Sequence, residues 1–289
     1  MLVASPSSVP PPPLVMVMVW GAGAGPPAAT VKVAVLLDRA IVGSVGANTI
    51  IGGSGNDTID GAGGPDVIDA GAGNDAVIFH GTETAIDGGT GADTLTVATG
   101  ATVTAVNFAV AAGLDQTVGD AANVTNFENL DASAVTAALT VTGSSAANVI
   151  TTGSGNDTID GGGGADVINS GGGNDTVSYY GSESVIDGGA GNNTLLLRAV
   201  ATINLGNVDQ TTGDATSVAN FQNVDASGLS SSVSVTGSSA ANIITTGAGN
   251  DTIDGAGGAD VIGAGAATTR SPTTAAKIRS MAAPEPIRC

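Results

Sequence analysis

A nine-residue period limits this chain to a small set of folds. Residues 43–96 read without a slip as GSVGANTII, GGSGNDTID, GAGGPDVID, AGAGNDAVI, FHGTETAID and GGTGADTLT. The same phase returns in six frames over residues 143–196 and in three frames over residues 237–263. Self-similarity at a fixed period is typical of stacked units, none of which buries its apolar face alone. The period therefore favours a solenoid over two conventional globular domains.

Three of the nine positions carry the pattern. The eighth is Ile, Val or Leu in all fifteen frames, the fourth is Gly in eleven, and the sixth is Asp in nine and Asn in four. Gly permits the positive φ of a sharp turn, and a Thr/Val-rich triplet with one branched apolar residue suits a short strand. Each frame is therefore predicted to form a turn of six residues and a strand of three, with two frames closing a rung of eighteen residues.

Composition supports the solenoid and excludes several classes of protein. The 289 residues include 45 Gly but only 7 aromatic residues, too few to fill two conventional cores. Residues 43–265 carry 21 Asp and 3 Glu against a single base, Arg198. That charge excludes ordinary nucleic-acid binding and is repelled by anionic lipid head groups. No apolar run is long enough for membrane insertion.

The sequence offers few residues for catalysis. A single Cys, Cys289, excludes an internal disulfide and a cysteine metal cluster, and a single His, His80, excludes an H-E-x-x-H zinc site. The motifs G-x-S-x-G and G-x-x-x-x-G-K are absent. His80 and Glu83 fall in the degenerate frame FHGTETAID and are not predicted to be catalytic. We therefore expect this chain not to be an enzyme.

Stacked turns bring the sixth positions together. Residues eighteen apart lie over each other at a rung spacing of about 4.8 Å, so Asp57, Asp75 and Asp93 form one column. Two carboxylates about 5 Å apart repel by about 3 kcal/mol at an effective dielectric constant of 20, so the stack needs a counterion. Calcium accepts six to eight oxygen ligands, whereas magnesium prefers a tight octahedron and zinc prefers His and Cys. The columns therefore predict several bound calcium ions.

The pattern G-G-x-G-x-D-x-U-x resembles the hemolysin-type, or RTX, calcium-binding nonapeptide repeat family. The resemblance covers the fifteen frames. It implies a parallel β-roll that folds on binding calcium, in a protein typically secreted by Gram-negative bacteria through type I export. The aspartates that match the motif are assigned as metal ligands: Asp57, Asp66, Asp75, Asp93, Asp157, Asp166, Asp175, Asp251 and Asp260. The asparagines at the same position join this set: Asn48, Asn148, Asn193 and Asn242.

The frames differ in completeness. Thr84 and Ser184 stand at the sixth position without a carboxylate, and Asp251 has no acidic partner eighteen residues on. We therefore expect several weak sites and three well-made ones. The well-made sites are the stacked pairs Asp57/Asp75, Asp75/Asp93 and Asp157/Asp175.

The chain divides into seven segments by pattern. We predict a low-complexity Pro/Gly-rich segment over 1–42, a first calcium β-roll run over 43–96, a first β-solenoid spacer over 97–142, a second run over 143–196, a second spacer over 197–236, a third, incomplete run over 237–265 and an irregular basic tail over 266–289. The two spacers align without gaps from Asp115 and from Asp209, so a spacer and a run form one long repeat.

The spacers are predicted to continue the solenoid with longer rungs. Phe127 and Phe221 are the expected core residues, and the stretches LTVT at 139–142 and VSVT at 233–236 are expected strands. Asp131 and Asp225 are predicted to be turn or cap residues, with extra metal ligands as the alternative.

The sequence therefore predicts an all-β protein, a parallel β-roll or β-solenoid with disordered or irregular termini. Its predicted function is calcium binding, as a structural repeat module of a secreted or cell-surface bacterial protein; any cell-surface or matrix partner is unknown. The localisation expected from the resemblance is extracellular, although no N-terminal signal is recognised. The alternative is the calcium-roll portion of a secreted hydrolase or toxin whose catalytic domain is missing. An ice-binding solenoid is disfavoured because Thr90 is the only Thr at a third position.

Overall fold

The computed structural model describes residues 29–32, 38 and 40–265, and within them it contains β-strands and turns but no helix. The predictions for most of the Pro/Gly-rich segment 1–42 and for the basic tail 266–289 lie outside the described residues. None of the described residues forms a helix that is long and apolar enough to span a membrane.

Short strands recur throughout the described chain. Up to the end of the first run they are β1 (Ala29–Lys32), β2 (Ala40–Val42), β3 (Asn48–Ser54), β4 (Thr58–Asp60), β5 (Val67–Ala72), β6 (Ala76–Phe79), β7 (Ala85–Asp87) and β8 (Thr94–Val97). The first spacer contains β9 (Ala105–Asn107), β10 (Thr117–Val118), β11 (Asn123–Thr125), β12 (Asn129–Asp131) and β13 (Thr140–Thr142). The second run contains β14 (Val149–Thr151), β15 (Thr158–Asp160), β16 (Val167–Asn169), β17 (Thr176–Tyr179), β18 (Val185–Asp187) and β19 (Thr194–Leu197). The rest are β20 (Thr202–Asn204), β21 (Thr211–Thr212), β22 (Ser217–Ala219), β23 (Asn223–Ala226), β24 (Ser234–Thr236), β25 (Ile243–Thr246), β26 (Thr252–Asp254) and β27 (Val261–Gly263).

These strands wind into a parallel β-solenoid of about 12 turns. Successive strands of a run alternate between two sheets, and strands eighteen residues apart pair in parallel and in register. For example, Ile59 of β4 lies beside Val77 of β6, which lies beside Leu95 of β8. The predicted fold class and rung length are confirmed.

The core is a double file of eighth-position side chains. All fifteen are buried, with no more than 9% of any side chain exposed. Since each rung contributes one such residue from each face, the core needs few aromatic residues. Phe127 and Phe221 of the spacers are each 1% exposed, so their predicted place in the core is confirmed.

Each spacer exchanges one face of the solenoid for another. The first run lies between sheet I (β1-β3-β5-β7-β11) and sheet II (β2-β4-β6-β8-β12-β14-β16-β18-β22). The second run lies between sheet II and sheet III (β10-β9-β13-β15-β17-β19-β23-β25-β27), and the third lies between sheet III and sheet IV (β21-β20-β24-β26). Neighbouring runs therefore share one continuous nine-stranded sheet, so the strands of one run stay in register with those of the next.

A buried glutamine holds each spacer at its corner. The Gln116 side chain accepts the N–H of Phe127 at 2.8 Å and donates to the Phe127 carbonyl at 2.9 Å. Gln210 makes the same two bonds with Phe221, at 2.9 and 2.8 Å. Because both backbone groups of the phenylalanine are satisfied by one amide, its ring can enter the core where the strand ladder is interrupted.

Candidate metal sites

The sixth-position side chains form hydrogen-bonded columns along one edge of the solenoid. Asp75 Oδ1 accepts the N–H of Asp57 at 2.7 Å, and Asp93 Oδ1 accepts the N–H of Asp75 at 2.7 Å. In the second run Asp175 Oδ1 accepts the N–H of Asp157 at 2.8 Å. Each bond fixes Oδ1 of the carboxylate against the preceding turn, and the second oxygen, Oδ2, is buried.

The second oxygens of five column carboxylates are buried without a hydrogen-bond donor among the described residues. They belong to Asp66, Asp75, Asp93, Asp166 and Asp260. A buried carboxylate oxygen that has lost its water without gaining a partner is strongly destabilising. A cation between the turns would supply the missing partner, so the residues present fit a metal.

Glycine at the first position leaves room for these oxygens. A Cβ built at Gly61 would lie 2.5 Å from Asp66 Oδ2, and one built at Gly161 would lie 2.7 Å from Asp166 Oδ2. At these two turns a larger residue would occupy the space that the carboxylate oxygen needs. Glycine is not required at every first position, because Ala70, Thr152, Ser170 and Thr246 stand there in frames whose sixth residue is Asp.

Backbone carbonyls of the stacked turns are the other oxygens within reach of a cation. Gly73 and Gly91 stand at the fourth position of stacked turns with φ of +132° and +149°. A Cβ at Gly91 would overlap the Gly73 carbonyl oxygen. Consecutive turns therefore stack with the carbonyl group of one glycine against the Cα of the next. Among the described residues no three His, Cys, Asp or Glu side chains form a metal-binding group. Carboxylate and backbone carbonyl oxygens together are the ligand types that calcium prefers.

A second ladder runs along the same edge in the opposite direction. Asn56 Oδ1 accepts the N–H of Asn74 at 2.8 Å, and Asn74 Oδ1 accepts the N–H of Ala92 at 3.0 Å. Asn156 and Asn174 repeat this arrangement, with Asn156 Oδ1 accepting the Asn174 N–H at 2.7 Å. Sequence reasoning missed this ladder. Its signal is that Asn occupies the fifth position only in alternate frames, those of this edge.

The opposite edge starts each run with an asparagine that closes its own turn. Asn48 Oδ1 accepts the N–H of Ser44 at 2.7 Å, and the Asn48 N–H donates to Asp66 Oδ1 at 2.6 Å. The corresponding bonds to the amide oxygens of Asn148 and Asn242 come from Ser144 and Ser238, both at 2.7 Å. Metal binding by these amide oxygens would require them to give up or share that hydrogen bond.

Two aspartates, each the first of its column, contact the backbone of a spacer. Asp157 Oδ1 accepts the N–H of Leu139 at 2.8 Å, and Asp251 Oδ1 accepts the N–H of Val233 at 3.0 Å. Their neighbours above are therefore backbone groups of longer rungs and not other carboxylates. The spacer aspartates Asp131 and Asp225 each accept a backbone N–H two residues on, which matches the turn role preferred from the sequence.

Where Thr84 and Ser184 replace the carboxylate, a glutamate one residue earlier takes over the turn. Glu83 is 4% exposed and accepts the N–H groups of His80 at 2.9 Å and Thr82 at 3.0 Å. Glu183 holds the corresponding turn in the second run through the N–H groups of residues 180–182. Both oxygens of each glutamate are engaged within the turn, which indicates a structural role. The sequence signal was the recurrence of Glu at the same place in both runs.

Burial raises the pKa of the column carboxylates. The pKa of Asp93 rises from 3.8 to about 6, chiefly because burial removes water, with further increases from the neighbouring charges of Asp75 and Glu128. The pKa of Asp166 also rises to about 6, again through burial first and then through Glu183. Without a cation these groups bind a proton more readily in the folded protein than an ordinary carboxyl group does.

We expect acid to stabilise the metal-free fold and to weaken metal binding. The folded chain binds protons at Asp93 and Asp166 more tightly than the unfolded chain, so this contribution is complete below pH 3.8 and is lost as pH rises through about 6. In chelator, the β-sheet circular dichroism signal should be larger at about pH 4.5 than at about pH 7.5. With calcium, the midpoint concentration should rise as pH falls across the same window. A metal-free fold that gains stability from about pH 4 to about pH 7 would contradict this.

Comparison with protein families places four copies of the RTX calcium-binding nonapeptide repeat on this chain, at residues 42–77, 142–177, 184–197 and 236–267. The copies fall on the three runs and leave most of both spacers unmatched. No curated protein matches the chain.

Proposed function

We propose that this chain, which carries four copies of the RTX calcium-binding nonapeptide repeat, is a structural module that folds around calcium ions held between its stacked turns. The repeat is a calcium-binding unit and not a catalytic one. The observation that carries the proposal is the set of buried column carboxylates whose second oxygens have no donor among the described residues. The free energy of calcium binding would then contribute directly to the free energy of folding, because the site does not exist in the unfolded chain.

The proposed ligands are the sixth-position side chains together with turn carbonyls. The aspartates are Asp57, Asp66, Asp75, Asp93, Asp157, Asp166, Asp175, Asp251 and Asp260, and the asparagines are Asn48, Asn148, Asn193 and Asn242. The pairs Asp57/Asp75, Asp75/Asp93 and Asp157/Asp175 combine two carboxylates each and should bind most tightly, whereas the amides would first have to release their hydrogen bonds.

The proposed setting is extracellular. RTX repeats are typical of secreted proteins, and extracellular calcium modules bind in the range of about 10⁻⁴ to 10⁻³ M, so their sites fill outside the cell and stay empty inside it. With 24 acids against one base over residues 43–265, the calcium-free chain would repel itself and stay expanded. We propose that a bacterium exports the chain in this expanded form, by the type I route, and that it folds on arrival.

Calorimetric titration of two variants with calcium tests the ligand assignment. Asp75 belongs to two stacked carboxylate pairs, whereas Asp260 faces Asn242. Asp75→Asn keeps an acceptor for the Asp57 N–H, just as Asn193 accepts the Asp175 N–H at 3.0 Å, so the fold should persist in high calcium. We expect Asp75→Asn to weaken calcium binding by about tenfold or more, equivalent to about 1.4 kcal/mol, and to do so more than Asp260→Asn.

Two outcomes would count against these assignments. Equal effects of Asp75→Asn and Asp260→Asn would argue against shared sites within a column. A wild-type chain that takes up no calcium at about 10 mM, an order of magnitude above the usual range, would reject the proposed function itself.

A further inference from the structure

The last turn of the first run stacks on the spacer and not on another glycine-rich turn. Asn129 pairs with Thr94, which places the preceding residue, Glu128, over Asp93. Glu128 Oε2 accepts the N–H of Asp93 at 2.9 Å, in the same way that Asp93 Oδ1 accepts the N–H of Asp75. The column of carboxylates therefore continues by one residue from outside the nine-residue pattern.

The second run ends on the same backbone with neutral side chains. Asn223 pairs with Thr194, and Gln222 Oε1 accepts the N–H of Asn193 at 2.7 Å. The backbone bond from Gln222 N–H to the Asn193 carbonyl measures 3.1 Å, and its counterpart from Glu128 to Asp93 measures 3.2 Å. The two junctions therefore have the same backbone arrangement, but the first carries the carboxylates of Asp93 and Glu128 and the second carries the amides of Asn193 and Gln222.

The neutral junction identifies the atoms that surround the buried side chain. Asn193 Oδ1 accepts the Asp175 N–H at 3.0 Å, which leaves its Nδ2 group pointing the other way. That group donates to the carbonyl oxygens of Gly188, of Gly189 at 3.5 Å and of Asn220 at 3.0 Å. The space beside Asn193 is therefore a cluster of carbonyl oxygens, which attracts a positive group.

The charged junction puts an oxygen in that position. Asp93 is 0% exposed, its Oδ1 is fixed by the Asp75 N–H, and its Oδ2 has no hydrogen-bond partner among the described residues. The carbonyl equivalent to that of Asn220 belongs to Asn126, and it sits directly over Gly88, where a Cβ would overlap it. A carboxylate oxygen that faces carbonyl oxygens is destabilising unless a cation lies between them.

We propose that Asp93 and Glu128, together with the carbonyl oxygens of Gly88 and Asn126, form a calcium site that closes the first run against its spacer. The second run ends without such a site, because the Asn193 amide already satisfies the corresponding carbonyls. This inference rests on the proposed function, since it assumes that the columns bind calcium. It adds a ligand that the repeat pattern does not contain.

Counting bound ions in matched variants tests the site. Glu128→Gln keeps an acceptor for the Asp93 N–H, as Gln222 does for Asn193, so it should fold. After equilibrium dialysis at about 1 mM free calcium, atomic absorption should find one ion fewer per chain in Glu128→Gln than in the wild type. The reciprocal double variant Asn193→Asp/Gln222→Glu should bind one ion more. Its melting temperature should also rise more steeply with calcium concentration than that of the wild type.

Asp131→Asn is the matched control. Asp131 is a spacer carboxylate that accepts the N–H of Ser133 at 3.1 Å, and it should leave the ion count unchanged. Equal ion counts in the wild type and Glu128→Gln would overturn the proposed site whatever the double variant does. That result is distinct from failure of the proposed function, in which the wild type itself binds no calcium.

Discussion

In a chelator at neutral pH, we expect the chain to lose most of its β-sheet circular dichroism signal and to regain it at millimolar calcium. The folded columns bury aspartates whose second oxygens have no donor among the described residues. Neighbouring carboxylates about 5 Å apart repel by about 3 kcal/mol at an effective dielectric constant of 20. A few such pairs match the total stability of a typical domain, about 5–15 kcal/mol, so the metal-free fold should not survive.

Salt and magnesium controls separate site binding from screening. Potassium chloride at an ionic strength matched to the calcium sample screens the surface charges but provides no multidentate ion, so it should restore little structure. Magnesium should be less effective than calcium because it needs a tight octahedron and holds its water. Size-exclusion chromatography should show a matching contraction with calcium alone. A β signal that is already complete in chelator would reject the calcium-dependent fold.

Gly91→Ala is expected to be among the most destabilising substitutions in the turns. Gly91 has φ of +149°, and a Cβ there would overlap the Gly73 carbonyl oxygen of the turn above. The obstacle is backbone and cannot rotate away, so the two turns would have to separate. We expect a loss on the order of 3–5 kcal/mol in the free energy of unfolding, among the large values for single substitutions. Urea denaturation at saturating calcium measures it.

Two other glycines separate the contribution of backbone conformation from that of close approach. Gly63 has φ of +95° but no described atom within 4 Å of a built Cβ, so Gly63→Ala should cost about 1 kcal/mol. Gly228 has neither a positive φ nor a described atom that close, so Gly228→Ala should change stability by less than about 0.5 kcal/mol. If Gly91→Ala and Gly63→Ala were equally destabilising, stacking between turns would not be the reason for glycine at the fourth position.

Much of the fold follows from local pattern alone. The fixed phase of residues such as Ile159 and Leu195 predicted their burial, and both are at most 1% exposed. The same phase predicted which aspartates share a column, because rungs of equal length stack residues eighteen apart. The antiparallel pairs β9–β10 and β20–β21 were not predicted, because the segments around them lack the nine-residue period.

The candidate site was predicted less completely than the fold. Glu128 lies thirty-five residues from Asp93, and no fixed spacing connects them, so only the folded chain shows that they meet. Glu83 was noticed but its role was not, because a carboxylate one position out of phase reads as a defect in the motif. Comparing the two long repeats would have flagged both positions, as Glu183 repeats Glu83 and Gln222 replaces Glu128.

The rung length, the inward file of Ile, Val and Leu, and the alignment of acidic side chains follow from the sequence, because all three depend on a period that is local and regular. How each spacer exchanges one sheet for another, and which residue lies at the end of a column, become visible only in the folded chain. A spacer changes the length of the rung. The residue that stacks on the last turn of a run therefore depends on the path of the chain through the spacer. That dependence on chain path is why Glu128 meets the N–H of Asp93 and Gln222 meets the N–H of Asn193 although the two pairs are separated by different numbers of residues.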